Sequence, residues 1–140
     1  MEPASIQAWN NFVIHSDPAS YEDDRDKRAA AIANLFMGMA NNGGLNSFLT
    51  ASYDLDANEV LRALTLVGAL LAAGQLQEAL EGLKTPLPKS SQGERWSLLE
   101  EHWSDELDQF DVLSEEANDE LVLCLQRHVA ENETFYALLA

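Results

Sequence analysis

The run VLRALTLVGALLAA, residues 60–73, is the stretch on which the fold turns. Apart from Arg62 and Thr65 it is apolar at almost every position. A bilayer span needs about 20 residues, so these fourteen are too few. A helix that is apolar on all sides must be surrounded by other helices, and this one is therefore expected to be central. Asp56 and Glu59 stand just ahead of it at capping-box spacing, with Asp in place of the usual Ser or Thr. Gly74 is expected to end or bend the helix, with Leu76, Ala79, Leu80 and Leu83 continuing as a shorter one.

Outward from this run the periodicity stays helical. Towards the N-terminus, Ile32, Leu35, Phe36 and Met39 form an i, i+3, i+4, i+7 stripe on a helix expected to start near Tyr21. Asn41-Asn42-Gly43-Gly44 stops that helix, because glycine tolerates the left-handed backbone of a helix end. A short amphipathic piece with Leu45, Phe48 and Leu49 follows. Earlier still, Ile6, Trp9 and Val13 recur at helical spacing behind Pro3, a residue suited to a first helical turn.

Towards the C-terminus, residues 84–93 hold Pro86, Pro88, two serines and a glycine, which makes them a loop. Trp96, Leu99, Trp103, Leu107 and Phe110 then mark an amphipathic helix. Ser114 caps the next, with Glu115 and Glu116 in its first turn. Its inward face is Ala117, Leu121, Cys124, Leu125, His128 and Val129, and residues 135–139 form a terminal turn or short helix. No alternating strand pattern and no repeat occurs. The expected fold is all-α: one compact bundle of about six to eight helices around a central apolar helix. Residues 1–83 carry the N-terminal and central helices, 84–93 the Pro/Ser loop, and 94–140 the acidic C-terminal helices.

Charge narrows the function. The 140 residues carry 24 Asp and Glu against 8 Lys and Arg, a formal net charge of −16. Such a surface repels phosphate, so direct contact with nucleic acid or anionic lipid is not expected. One cysteine makes no internal disulfide and no cysteine-based zinc site. The opening residues, Met1-Glu2-Pro3-Ala4-Ser5-Ile6, lack the basic and apolar regions of a secretory signal, and a cytoplasmic location is the expectation.

The acidity is uneven. Residues 94–133 hold thirteen acids and two arginines, a net of −11, while the rest of the chain sums to −5. Near the N-terminus, Asp23–Lys27 and Asp24–Arg28 stand as opposite-charge i, i+4 pairs that support their own helix. By contrast, Glu100, Glu101, Asp105, Glu106, Asp108, Asp111, Glu115, Glu116, Asp119 and Glu120 fall within 21 residues that contain no Lys or Arg. Glu101–Asp105, Glu115–Asp119 and Glu116–Glu120 are like-charge i, i+4 pairs, each costing a few tenths of a kcal/mol. On a continuous helix these acids would place about one charge per 3 Å. One DNA strand carries a phosphate about every 3.4 Å, so the densities match although a bend near residues 112–114 spoils a straight line. These ten acids are the candidate partner-binding residues. The plain alternative is a solvated face that keeps the protein in solution.

Little else in the chain carries chemistry. Cys124 sits at core spacing with no activating base in sequence, and reads as a buried thiol. His128, one turn on, lacks the further ligands of a metal site. His102 and Glu106 have the spacing of a helical ion pair. Glu101, Asp105 and Asp108 lack the glycine and fixed spacing of a calcium loop. No phosphate-binding loop, HExxH or GxSxG occurs. No catalytic residue, cofactor or metal is assigned.

Two stretches resemble a known family. Asn42-Gly43-Gly44-Leu45-Asn46-Ser47-Phe48-Leu49, with the helix through Leu66-Val67-Gly68-Ala69, is similar to the NGG-aromatic-x-x-F element and the IGA-like helix of the bacterial DMP-type DNA-mimic family. Leu45 departs from the aromatic common there. Residues 107–110, with Leu121, Val129, Asn132, Glu133 and Phe135, look like the closing helices of the same family. The resemblance covers residues 30–137. It implies an all-helical acidic protein, dimeric in its best-known member, whose surface carboxylates occupy the DNA-binding face of a helix-turn-helix transcription factor. Asn42, Gly43 and Gly44 match the motif as a turn and cap. The expected partner is accordingly a basic protein such as a DNA-binding regulator, with a homodimer as the expected assembly. An immunity or antitoxin-like inhibitor of a basic nuclease would present the same surface chemistry.

Overall fold

The computed structural model describes residues 5–51, 56–84 and 92–139, and among them every regular element is a helix. Helix α1 (Ile6–His15) begins where Ser5 Oγ accepts the Ala8 N–H at 3.1 Å; Pro3 lies outside the described residues. The expected stripe of Ile6, Trp9 and Val13 is not the buried one. Ala8 and Phe12 are buried instead, and Ile6 is 79% exposed. Asn11 fixes this rotation by donating to the carbonyls of Tyr136 and Ala137. Phe12 then meets Tyr136 edge-on at 5.1 Å, and α1 packs on α7 (Glu133–Leu138), joining the two ends of the chain.

After a 3₁₀ turn at Pro18–Tyr21, helix α2 runs from Arg25 to Ala51. Asp24 starts it: Oδ1 accepts the Lys27 N–H at 3.1 Å, and Oδ2 pairs with Lys27 Nζ at 2.9 Å. The charge pairs therefore differ from the expected i, i+4 set. Lys27 pairs with Asp24 at i, i+3, and Arg28 reaches Glu59 on the next helix at 2.8 Å. Five successive residues, Ala29 to Ala33, are buried. Four are alanines, and α2 as a whole packs against α3, α5 and α6. Gly44 interrupts α2 with φ +84 and ψ 174, where the Asn-Asn-Gly-Gly stop is expected. Leu45, Phe48 and Leu49 beyond it are all buried, and Phe48 meets Phe36 edge-on at 5.0 Å.

The apolar run divides between two helices, α3 (Ala57–Val67) and α4 (Leu70–Leu83). Asp56 caps α3 by accepting the Asn58 N–H at 2.8 Å, while Glu59 turns away to Arg28. The break comes at Gly68, not Gly74. Gly68 adopts φ +94, and the Ala69 N–H returns to the Leu64 carbonyl at 2.9 Å, a left-handed helix end. Gly74 lies inside α4 with open space beside it. Each half of the run thus buries one side: Val60, Ala63 and Leu64 on α3, and Ala72 and Ala73 on α4, with Leu76 just beyond the run. Leu66, Leu70 and Leu71 stay exposed, and the buried stretch of α2 fills the place expected of a single central helix.

Lys84 ends α4 in a left-handed conformation. Residues 85–91, with most of the expected Pro/Ser loop, lie outside the described residues, and α5 (Gln92–His102) already includes the last two positions assigned to it. The helix expected through Phe110 is interrupted. After α5 a 3₁₀ stretch occupies Asp105–Phe110, and α6 (Glu115–Glu131) follows, capped by Ser114 Oγ on the Ala117 N–H at 3.1 Å. Ala117, Leu121, Cys124, Leu125 and Val129 form its buried face as expected. No described helix is long and apolar enough to cross a membrane.

Candidate partner-binding surface

The ten candidate carboxylates lie on three consecutive pieces. Glu100 and Glu101 close α5, Asp105, Glu106 and Asp108 sit in the 3₁₀ stretch with Asp111 directly after it, and Glu115, Glu116, Asp119 and Glu120 occupy the first turns of α6. Two interruptions, one after His102 and one at residues 111–114, keep them off a single helical line. Glu101 and Asp105 therefore do not share a helix face, nor do His102 and Glu106, whereas Glu115–Asp119 and Glu116–Glu120 do share faces on α6.

Three of the ten hold the fold. Asp111 is half-buried, and its Oδ1 accepts the Asn46 N–H at 2.8 Å while its carbonyl accepts the Leu45 N–H at 2.7 Å. These are the free donors at the start of the helical piece after Gly44, so Asp111 caps that piece from 65 residues away. A Cβ on Gly44 would fall 2.6 Å from Asp111 Oδ2, so only glycine admits this approach. Glu120 does the same for α4. Ala69 supplies no side-chain cap there, and Glu120 Oε1 accepts the Leu71 N–H at 2.8 Å. Asp108 Oδ1 accepts the Trp103 indole N–H at 2.8 Å, spanning the break after α5.

Glu100, Glu101, Asp105, Glu106, Glu115, Glu116 and Asp119 remain. All seven are exposed, and none forms an ion pair among the described residues. Glu115 and Glu116 lie in the first turn of α6, at the positive end of that helix, where carboxylates are favoured.

Two residues near this surface depart from the expected pattern. Arg95 on α5 is 1% exposed and donates to the Leu49 carbonyl at 2.9 Å. A cation there suits the end of the short helical piece of α2. Its one sequence signal is phase, because Arg95 precedes the buried Leu99 by one helical turn. Trp96, on the apolar stripe that marks the helix in sequence, is 57% exposed. It lines a cleft of about 540 Å³ with Trp103, Asp108 and Asp111, beside the carboxylates. Tryptophan is among the residues that most often dominate binding energy at interfaces.

Elsewhere, Cys124 is 8% exposed, and burial, with Glu120 nearby, raises its thiol above the usual range. His128 Nε2 lies 2.8 Å from the Tyr136 hydroxyl. Burial, with Lys27 nearby, lowers the imidazole below its usual range, while burial raises the Tyr136 hydroxyl. The neutral imidazole and the un-ionised tyrosine hydroxyl thus share one hydrogen bond. Among the described residues no three His, Cys, Asp or Glu side chains are placed to hold a metal ion.

Residues 22–132 match the family model described as DMP19-like protein. Comparisons with curated proteins and with solved structures gave no match.

Proposed function

Residues 22–132 are most of the chain, so the protein belongs to the DMP19-like family, and from that premise we propose that it is a DNA mimic acting on a basic partner. Family membership fits a DNA-mimic domain in general terms. The finer reading is that the seven exposed carboxylates occupy the nucleic-acid-binding face of a helix-turn-helix regulator, in the manner of phosphates. The observation that carries it is their exposure without a cation: each like-charge neighbour on α6 is a small cost that Lys and Arg from a partner would relieve. Binding of this kind weakens steeply with salt, because the charges are at the surface. Self-association belongs to the same proposal. Leu66, Leu70 and Leu71, left exposed about the α3–α4 junction, and Leu123 on α6 supply apolar surface for it.

Two variants of equal net charge test the proposal. One reverses Glu106, Glu115 and Glu116 to lysine; the other reverses Glu22, Asp23 and Glu78, which are also exposed but lie outside the cluster. The proposal expects the first to lose the partner at low salt and the second to keep it. Equal loss in both would reduce the acids to a general solubilising charge.

A further inference from the structure

The carboxylates lie on both sides of the angle between the 3₁₀ stretch and α6, and no continuous helix sets that angle. The chain turns at residues 111–114, and three backbone groups of the turn are held by one side chain from another element. Gln75 on α4 donates from Nε2 to the carbonyls of Phe110 at 3.0 Å and Val112 at 2.6 Å, and its Oε1 accepts the Ser114 N–H at 3.1 Å. Those are the last residue of the 3₁₀ stretch, the exposed middle of the turn, and the cap of α6.

The same helix fixes both flanks. Gly82 stands two turns after Gln75 and therefore on the same side of α4. A Cβ there would collide with the buried Leu107, so the 3₁₀ stretch lies directly on α4. At the other end, the Leu71 N–H takes Glu120. Along α4 the order is thus Glu120 at Leu71, the turn at Gln75, and Leu107 at Gly82.

We propose that Gln75, an uncharged residue outside the acidic cluster, is a positioning residue for partner recognition: it fixes the angle at which the two sets of carboxylates are presented. The inference rests on the reading of that surface as a docking face. Its consequence is that a substitution changing no charge weakens binding to a rigid basic surface while leaving a flexible one unaffected.

Gln75→Met keeps length and volume and removes all three hydrogen bonds. Spin labels at Gln109→Cys and Gln126→Cys, both exposed, report the angle in a Cys124→Ala background by pulsed electron resonance. The expected result is one narrow distance distribution for Gln75 and a broadened one for Gln75→Met, with unchanged far-ultraviolet dichroism. Two probes read the binding: nona-arginine, which is flexible, and a stapled helical peptide with arginines along one face, which is rigid. Losing the hydrogen bonds at the turn is expected to weaken the rigid peptide by about tenfold, the equivalent of one ordinary net hydrogen bond, and to spare nona-arginine. An unchanged distance distribution would overturn the proposal. So would a broadened one in which both peptides weaken alike or neither does. If reversal of Glu106, Glu115 and Glu116 leaves the rigid peptide bound, the docking reading fails and takes the positioning role with it. The distances would still show whether Gln75 holds the turn, so the two failures are distinguishable.

Discussion

Replacing Gly44 by alanine is expected to be among the most damaging single-methyl changes in the protein. Its backbone, at φ +84 and ψ 174, lies in a region open essentially to glycine alone, and an L-residue held there costs about 1–3 kcal/mol. The new methyl would sit within 2.7 Å of all three atoms of the Asp111 carboxylate group. Asp111 must then withdraw and release the Asn46 N–H, and a hydrogen bond to a charged group contributes about 1.5–3 kcal/mol. The expected destabilisation is therefore about 2.5–6 kcal/mol, a large part of the roughly 5–15 kcal/mol that holds a domain together. Urea unfolding followed by circular dichroism reads it as a midpoint about 2 M lower, for a slope of about 2 kcal/mol/M. Asp111→Ala loses the hydrogen bond without the strain, and should fall between the wild type and Gly44→Ala. The double variant removes the collision, so the two effects should not add. A Gly44→Ala protein within about 0.5 kcal/mol of wild type, the usual range of surface substitutions, would refute the lock between Gly44 and Asp111.

Other outcomes follow from the same geometry. Gly38 and Gly74 lie inside helices with nothing near a Cβ, so alanine at either should raise the stability read from urea unfolding by about 0.5–1 kcal/mol. His128 has a lowered folded pKa, so its neutral form is the stable one: its contribution is intact above the unfolded value of 6.5 and is lost as pH falls through it. A urea series from pH 8 to pH 5 should show this decline, and His128→Phe should flatten it. The Cys124 thiol, buried and held protonated, should react with Ellman's reagent far more slowly in the native protein than in urea; equal rates would contradict its burial.

The sequence made local features legible and distant ones invisible. The caps at Asp56 and Ser114 act within two or three residues of themselves, and both stand where their spacing places them. The Gly43–Gly44 stop and the buried Leu45, Phe48 and Leu49 are likewise local patterns. The roles of Asp111 and Glu120 depend on backbone donors 65 and 49 residues away, and nothing in the run of acids distinguishes them from their exposed neighbours. Helix phase misled where alanine did the packing. Ala8 is buried in α1 while the larger Ile6 is not, and the alanines of α2 occupy the centre expected of residues 60–73. Gly68 and Gly74 look alike in sequence, and only the return of the Ala69 N–H to Leu64 marks the first as the break.

The most direct test of the central claim is release by DNA. Wild-type protein and the Glu106, Glu115 and Glu116 charge-reversed variant are immobilised side by side, loaded with host lysate at low salt, and eluted with duplex DNA before high salt. If the exposed carboxylates stand in for phosphates, a helix-turn-helix regulator leaves the wild-type column with the DNA and is absent from the variant. Retention of the same basic proteins on both columns, with none displaced by DNA, would contradict mimicry; a single basic nuclease in the DNA eluate would instead make the protein an inhibitor of that enzyme.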